Sequence, residues 1–304
     1  MPFFNKRKIC VTHNGTFHAD DLFATAVLSI LNDGNIKIVR TRTPRIIETG
    51  DYVYDVGGEY NADEDLFDHH QKQGAGFREN GIPYSSFGLV WDKYGEKICG
   101  NREVANQIEQ KIVCPIDAVD NGFDISKSLI EGVKPYYADQ VFLNNIPTWK
   151  EDNINIDKIF EEQVAKVCIL LKREIVVANA DIEARNIIMD AYENSFDRRI
   201  VVIENDFPRY LFQGVLSTLP EPLYLVYPSS HSTTWKVEAI SKSPDTMDSR
   251  KLLPEAWWGH MDNDERLKEI TGVPEVMFCH RAGFLVNALS KEGAIILAQK
   301  ALIA

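Results

Sequence analysis

Three short apolar runs, the first two separated by a stretch of helical spacing, constrain what the first hundred residues can fold into. Lys8-Ile9-Cys10-Val11-Thr12 ends at His13-Asn14-Gly15. Leu22, Phe23, Ala26, Val27, Ile30 and Leu31 then recur at helical spacing; Asp20-Asp21 can cap the first turn, and Gly34 marks the stop. Ile36–Val39 and Tyr52–Val56 follow as further strand-like runs, the last closed by Gly57-Gly58. Strand, helix, strand in this order calls for a parallel sheet with right-handed crossovers. In open sheets of that kind a site lies beyond the carboxyl ends of the strands. His13 and Asp55 stand at two such ends.

After a loop at 59–83, the spacing predicts a helix from Ser85 to Tyr94, with Phe87, Val90, Trp91 and Tyr94 on one face. A second helical stretch, 102–118, leads into Ile116-Asp117-Ala118-Val119-Asp120-Asn121-Gly122. Residues 157–193 contain neither Pro nor Gly and read as a long helix or helix pair. Beyond Asp197, Ile200–Ile203, Tyr210–Leu216, Leu223–Tyr227, Thr234–Ala239 and Met277–Cys279 read as strands, and Ser290 can cap a closing helix. The expected architecture is a parallel-sheet α/β domain with a helical connector over residues 1–195. A smaller α+β domain over 196–304 is expected to bind substrate, with the site in the cleft between the two.

A hydrophobic content of 44% and a charged content of 26% suit a soluble globular protein. No apolar run approaches the roughly 20 residues needed to span a bilayer, so no membrane partner is expected. Met1-Pro2-Phe3-Phe4-Asn5 leads straight toward the first strand, so no signal or transit peptide is expected. The five cysteines are scattered and form no C-x-x-C pair, as expected of reduced thiols in a cytoplasmic protein. The net charge of −12 disfavours coating long nucleic acid. It leaves room for an enzyme that draws one phosphate end into a metal-charged site. A homo-oligomer is compatible with the sequence.

Four segments carry residue types that bind metal. His13-Asn14-Gly15-Thr16-Phe17-His18-Ala19-Asp20 can converge on one point at a strand-to-helix turn. Asp55 ends an apolar strand, where a carboxylate is poorly solvated unless something pairs with it. Asp68-His69-His70 joins a carboxylate to two of the chain's seven histidines. Asp117 and Asp120, three apart, share a helical face, so either could be a ligand. The bland alternatives are capping carboxylates, surface histidines and a solvated helix face. Taken together, His13, His18, Asp20, Asp55, His69 and Asp120 supply six N/O ligands and no sulfur. That suits two divalent ions roughly 3.5–4 Å apart in phosphoryl transfer. His70 is the candidate for contacting phosphate or protonating the leaving oxygen, and Asp68 for orienting an imidazole. His280-Arg281-Ala282-Gly283, after a strand, suits either a phosphate contact or a structural turn. His231 and His260 read as surface residues.

In this order, these motifs resemble the DHH phosphoesterase superfamily and, more closely, the melanocyte-proliferating-gene family, long labelled metal-dependent protein hydrolases. The marks are Thr12–His18, Asp55-Val56-Gly57-Gly58-Glu59-Tyr60, Asp68-His69-His70-Gln71, Asp117–Gly122, Pro147-Thr148-Trp149, Leu253–Trp257 and Glu292-Gly293-Ala294. The resemblance implies a DHH-type fold with two Mn2+ ions; other divalent metals would also fit. His13, His18 and Asp55 would hold one ion; Asp20, Asp55, His69 and Asp120 would hold the other. It further implies hydrolysis of phosphodiesters by a metal-activated water, as a 3′→5′ exonuclease acting on RNA 3′ ends. Two departures stand out: His18 replaces the superfamily's usual Asp, and Leu285-Val286-Asn287-Ala288 replaces a glycine-rich continuation after Phe284. The other readings are a phosphohydrolase of pyrophosphate, cyclic dinucleotides or short oligonucleotides, and a non-catalytic metal-binding protein. Proteolysis has no support, because there is no His-Glu-x-x-His and no nucleophile triad.

Overall fold

The computed structural model describes residues 6–261 and 264–304. Residues 1–5, read above as a direct lead-in to the first strand, lie outside them. The chain divides into two compact units, Met1–Asn179 and Ala180–Ala304.

The first unit holds β1 (Lys8–Thr12), α1 (Ala19–Leu31), β2 (Ile36–Arg40), α2 (Pro44–Ile47) and β3 (Tyr52–Tyr54). There follow β4 (Tyr60–Asn61), β5 (Leu66–Phe67), α3 (Ser86–Cys99), α4 (Arg102–Ile108), α5 (Cys114–Asp120) and α6 (Gln140–Leu143). The single long helix α7 (Ile156–Glu193) runs on through the boundary between the units. One turn of π-helix, Glu109–Val113, joins α4 to α5. The sheet order is β2-β1-β3-β5-β4, parallel except for β4.

The predicted strand–helix–strand start is therefore present, and the 59–83 segment is more than a loop. It contains β4 and β5, so Asp68-His69-His70 leaves the sheet at the carboxyl end of a parallel strand. Leu22, Phe23, Ala26 and Val27 of α1 are fully buried, as are Phe87 and Val90 of α3, the helix beside it. Burial of that apolar area, at about 25 cal/mol per Å2, holds the helix layer against the strands.

The second unit contains β6 (Ile200–Val202), α8 (Arg209–Leu216), β7 (Tyr224–Pro228), β8 (Trp235–Ala239), α9 (Glu265–Thr271), β9 (Val276–Cys279), β10 (Leu285–Ala288) and α10 (Lys291–Ile303). Its sheet order is β6-β7-β8-β10-β9, with only the β6–β7 pair parallel. Tyr210–Leu216, expected as a strand, is helix α8. Leu211, Phe212 and Leu216 are buried there, a helical rather than an alternating spacing. Leu285–Ala288 is β10, and its Val286 and Ala288 side chains are buried in the core. Ser290 caps α10 as expected, its Oγ accepting from the Gly293 N–H at 3.0 Å. Among the described residues no helix is long and apolar enough to cross a membrane, and all five cysteines are free thiols.

Candidate metal centre

Each candidate ligand leaves regular structure at a defined point. His13 follows the last residue of β1, and the chain turns at Gly15, whose φ of +93° favours glycine. Arg40, at the end of neighbouring β2, pins that turn. Its Nη2 donates to the Gly15 carbonyl at 2.7 Å, its Nη1 pairs with Asp157 at 2.7 Å, and the guanidinium lies 4.6 Å from the Phe160 ring centroid. His18 is the N-cap of α1, and Asp20 and Asp21 occupy the first turn, both fully buried. Asp55 follows β3 with φ +53°, a left-handed position that Asp tolerates and that recurs at functional sites. Asp120 is the last residue of α5.

These side chains converge. Ligand atoms of His13, His18 and Asp55 all lie within 4.8 Å of one another. The same holds for His18, Asp20 and Asp120, for Asp55, His69 and His70, and for Asp20, Asp21 and Asp55. Asp55 belongs to three of these sets, as a bridging carboxylate would. His13 Nε2 is 3.0 Å from Asp55 Oδ2, and His69 Nε2 is 3.4 Å from Asp120 Oδ2. His69 Nδ1 lies 3.3 Å from Ser86 Oγ and 3.8 Å from Asp20 Oδ2.

His13 Nε2, both carboxylate oxygens of Asp20, Asp21 Oδ2 and Asp55 Oδ2 are buried without a hydrogen-bond partner. Desolvated carboxylates facing one another are costly unless a cation lies among them. The set of N and O donors without sulfur fits Mn, Zn, Fe or Co. The electrostatics agree. Burial, and then the charges of Asp55, Asp120 and Asp21, hold the Asp20 carboxyl far above its ordinary range. Burial followed by the Asp55 and Asp117 charges pushes Asp120 up to about 7. Burial also pushes Asp21 up to about 7, against the favourable His13 contact. Burial opposes a charge on His13, but the Asp55 and Asp21 carboxylates outweigh it and raise its pKa.

Asp117 and Asp120 have different surroundings. Asp117 is fully buried and engaged elsewhere: with Arg78 Nη1 at 2.6 Å, Ser85 Oγ at 2.5 Å and the Gly88 N–H at 3.1 Å. A Cβ on residue 88 would lie 1.9 Å from Asp117 Oδ2, so glycine is required there. Asp120 is the acid that faces His69.

Asp68 lies beside His70. Its Oδ1 accepts from the His70 backbone N–H at 3.1 Å and from Nδ1 at 2.7 Å, and its Oδ2 accepts from the Gly58 N–H. Burial pushes Asp68 upward, but these bonds outweigh it and hold the carboxyl below the ordinary range. His70 stacks on His69 with ring centroids 4.3 Å apart, and its side chain is 61% exposed.

His280, Arg281 and Gly283 lie in the β9–β10 turn of the second unit. His280 Nδ1 accepts from the Ala282 N–H at 3.1 Å, its ring sits 4.5 Å from that of Phe284, and Arg281 is exposed. Gly283 has a packing reason to lack a side chain: a Cβ there would lie 2.1 Å from Trp258 Nε1. His260, read as a surface residue, pairs with Asp264 at 2.7 Å. Sequence reading missed Asp21 as a site residue, along with Ser86, Arg40 and Arg78. Only Asp21 had a visible signal, an acid adjoining Asp20, and capping had accounted for it.

Residues 8–302 match the model of the MYG1_exonuc family, described as an uncharacterised protein family (UPF0160). A protein of Mus musculus named MYG1 exonuclease is 31% identical over 328 residues, covering 96% of this chain and 84% of the mouse protein. A MYG1 protein of Schizosaccharomyces pombe is 29% identical over 326 residues and covers 96% of each chain. The human MYG1 exonuclease is 29% identical, covering 96% of this chain and 85% of its own length. Among solved structures, RecJ of Thermus thermophilus in complex with Mn2+ is 11% identical, covering 98% of this chain and 52% of RecJ. Its TM-score of 0.27 is too low for fold or chemistry to carry over.

Proposed function

Because the chain belongs to the MYG1_exonuc family, we propose that it is a divalent-metal-dependent phosphodiester hydrolase, a 3′→5′ exonuclease that shortens RNA. The observation that carries this reading is the convergence of buried ligand atoms from His13, Asp20, Asp21 and Asp55 that face one another without a hydrogen-bond partner, with His18, His69 and Asp120 at their side. His13, His18 and Asp55 would hold one Mn2+; Asp20, Asp55, His69 and Asp120 would hold the second. Divalent ions bound there would neutralise phosphate charge and make a water acidic enough to attack near neutral pH.

The remaining work falls to the chain's own side chains. His70 carries a hydrogen bond to Asp68 on Nδ1, which leaves Nε2 for the substrate. Asp68, kept anionic, fixes the orientation of that ring, so that a proton on Nε2 can be donated to a phosphate oxygen or to the leaving oxygen. Ser86 Oγ sits beside His69 Nδ1 and orients that ring. In the second unit His280 and Arg281 are the proposed substrate contacts; their support is an imidazole and a guanidinium standing beside a glycine and, for Arg281, its exposure.

The acidic charge of −12 favours a second reading, a hydrolase of pyrophosphate, cyclic dinucleotides or short oligonucleotides. Incubating the Mn-loaded protein with 3′-labelled RNA, single-stranded DNA, dinucleotides and pyrophosphate separates the two. Release of label from the RNA 3′ end supports the first reading. Turnover of pyrophosphate or dinucleotides alone selects the second.

A further inference from the structure

Asp21 is fully buried in the first turn of α1, and its two oxygens have different surroundings. Oδ1 accepts from the His18 backbone N–H at 2.9 Å, an ordinary helix-capping contact. Oδ2 has no hydrogen-bond partner and lies 3.3 Å from His13 Nε2. That same nitrogen is 3.0 Å from Asp55 Oδ2. The other ring nitrogen of His13, Nδ1, lies 3.1 Å from the Asn14 carbonyl, to which it can only donate. With the proton on Nδ1, a neutral His13 presents a lone pair at Nε2, aimed at two carboxylate oxygens. Three electron-rich atoms so placed repel one another unless a proton on Nε2 or a metal cation sits among them, and a bound metal displaces that proton. Capping accounts for Oδ1, while Oδ2 is turned toward the His13 Nε2 and Asp55 Oδ2 pair.

We infer that Asp21 is a direct ligand of the ion held by His13 and Asp55. The inference rests on the metal centre of the proposed function and adds a residue to it. Without Asp21, that ion would have two neutral imidazoles and a carboxylate shared with the second ion. With it, Asp20, Asp21, Asp55 and Asp120 supply four negative charges against the four positive charges of two divalent ions. The centre is then neutral before an anionic substrate enters.

The test uses the full chain stripped of metal, as wild type, Asp21→Asn and Asp21→Cys. Asn can still accept from the His18 N–H, so Asp21→Asn keeps the cap and removes the charge. Calorimetric Mn2+ titration of wild type should give two sites per chain. In Asp21→Asn one of them should weaken by at least about 100-fold, beyond what loss of an orienting partner alone costs, with an unchanged circular dichroism spectrum. Asp21→Cys loaded with Cd2+, which prefers thiolate, should show a thiolate-to-metal charge-transfer band that wild type lacks. Asp21→Asn binding both ions with wild-type affinity would overturn the inference, as would a folded Asp21→Cys that takes up Cd2+ without the band. Wild type binding fewer than two Mn2+ would instead count against the two-ion reading, and the Cd2+ band would still decide Asp21.

Discussion

Arg78→Ala removes the cation paired with a fully buried carboxylate, Asp117, one turn from the proposed ligand Asp120. The Arg78 side chain is 8% exposed and pairs through Nη1 with Asp117 at 2.6 Å and through Nε with Glu109 at 2.9 Å. It also lies 4.2 Å from the Tyr84 ring centroid. Breaking a buried pair from one side costs about 3–5 kcal/mol. Asp117 keeps its bonds from Ser85 and Gly88, which places the expected loss toward the lower end of that range.

The loss carries a pH signature. Burial raises Asp117 to about 6 while Arg78 and Ser85 pull it down, so removing the guanidinium raises it further. A carboxyl with a higher pKa folded than unfolded favours the fold when protonated, and that advantage is lost as pH rises through its folded value. The deficit of Arg78→Ala should therefore be large at pH 8 and shrink at pH 5. Urea unfolding of the metal-free protein at both pH values measures it, with Arg78→Lys recovering part of the stability but not the planar fork. A loss below about 1 kcal/mol at pH 8, or the same loss at both pH values, would mean that Arg78 does not hold the buried Asp117 charge.

Further outcomes follow from the same geometry. Asp55→Ala should abolish Mn2+ uptake and turnover together, whereas His70→Ala should keep the metal and lose roughly 100- to 10,000-fold in kcat; inductively coupled plasma analysis and a phosphodiesterase assay separate the two. The metal-free protein should lose stability, on the order of a few kcal/mol, as pH rises from about 4 to 7, because Asp21 and Asp120 titrate near 7 when folded and must ionise while buried. Added Mn2+ should reverse that trend, as followed by thermal melts across the range. Gly283→Ala should cost roughly 2–4 kcal/mol, since its Cβ meets Trp258 at a φ of +67°; thermal melts with and without Mn2+ should show lower stability and unchanged metal binding.

What could be read from the sequence was local. His13 and Asp55 announced themselves because ligand-type side chains end apolar strands, and Asp20 because it opens the following helix. Asp68-His69-His70 stood out by residue type, but the strand that delivers it, Leu66–Phe67, is too short to have a period. Tyr210–Leu216 is rich in residues that suit strands, yet its buried set repeats at helical spacing once Pro208 is taken as the boundary. Asp117 and Asp120 looked equivalent because Arg78, which claims Asp117, lies far back in the chain and in a loop. Asp21 hid behind its capping role: one oxygen does what the sequence position suggests, and the other faces the site.

Whether these segments form a divalent-metal centre can be read from anomalous scattering at the manganese edge of Mn-soaked crystals. Two peaks are expected, one in contact with His13 Nε2 and Asp55, the other with His69 and Asp120. An anomalous map with no peak among these side chains, at saturating Mn2+ and a pH above 7, would contradict such a centre.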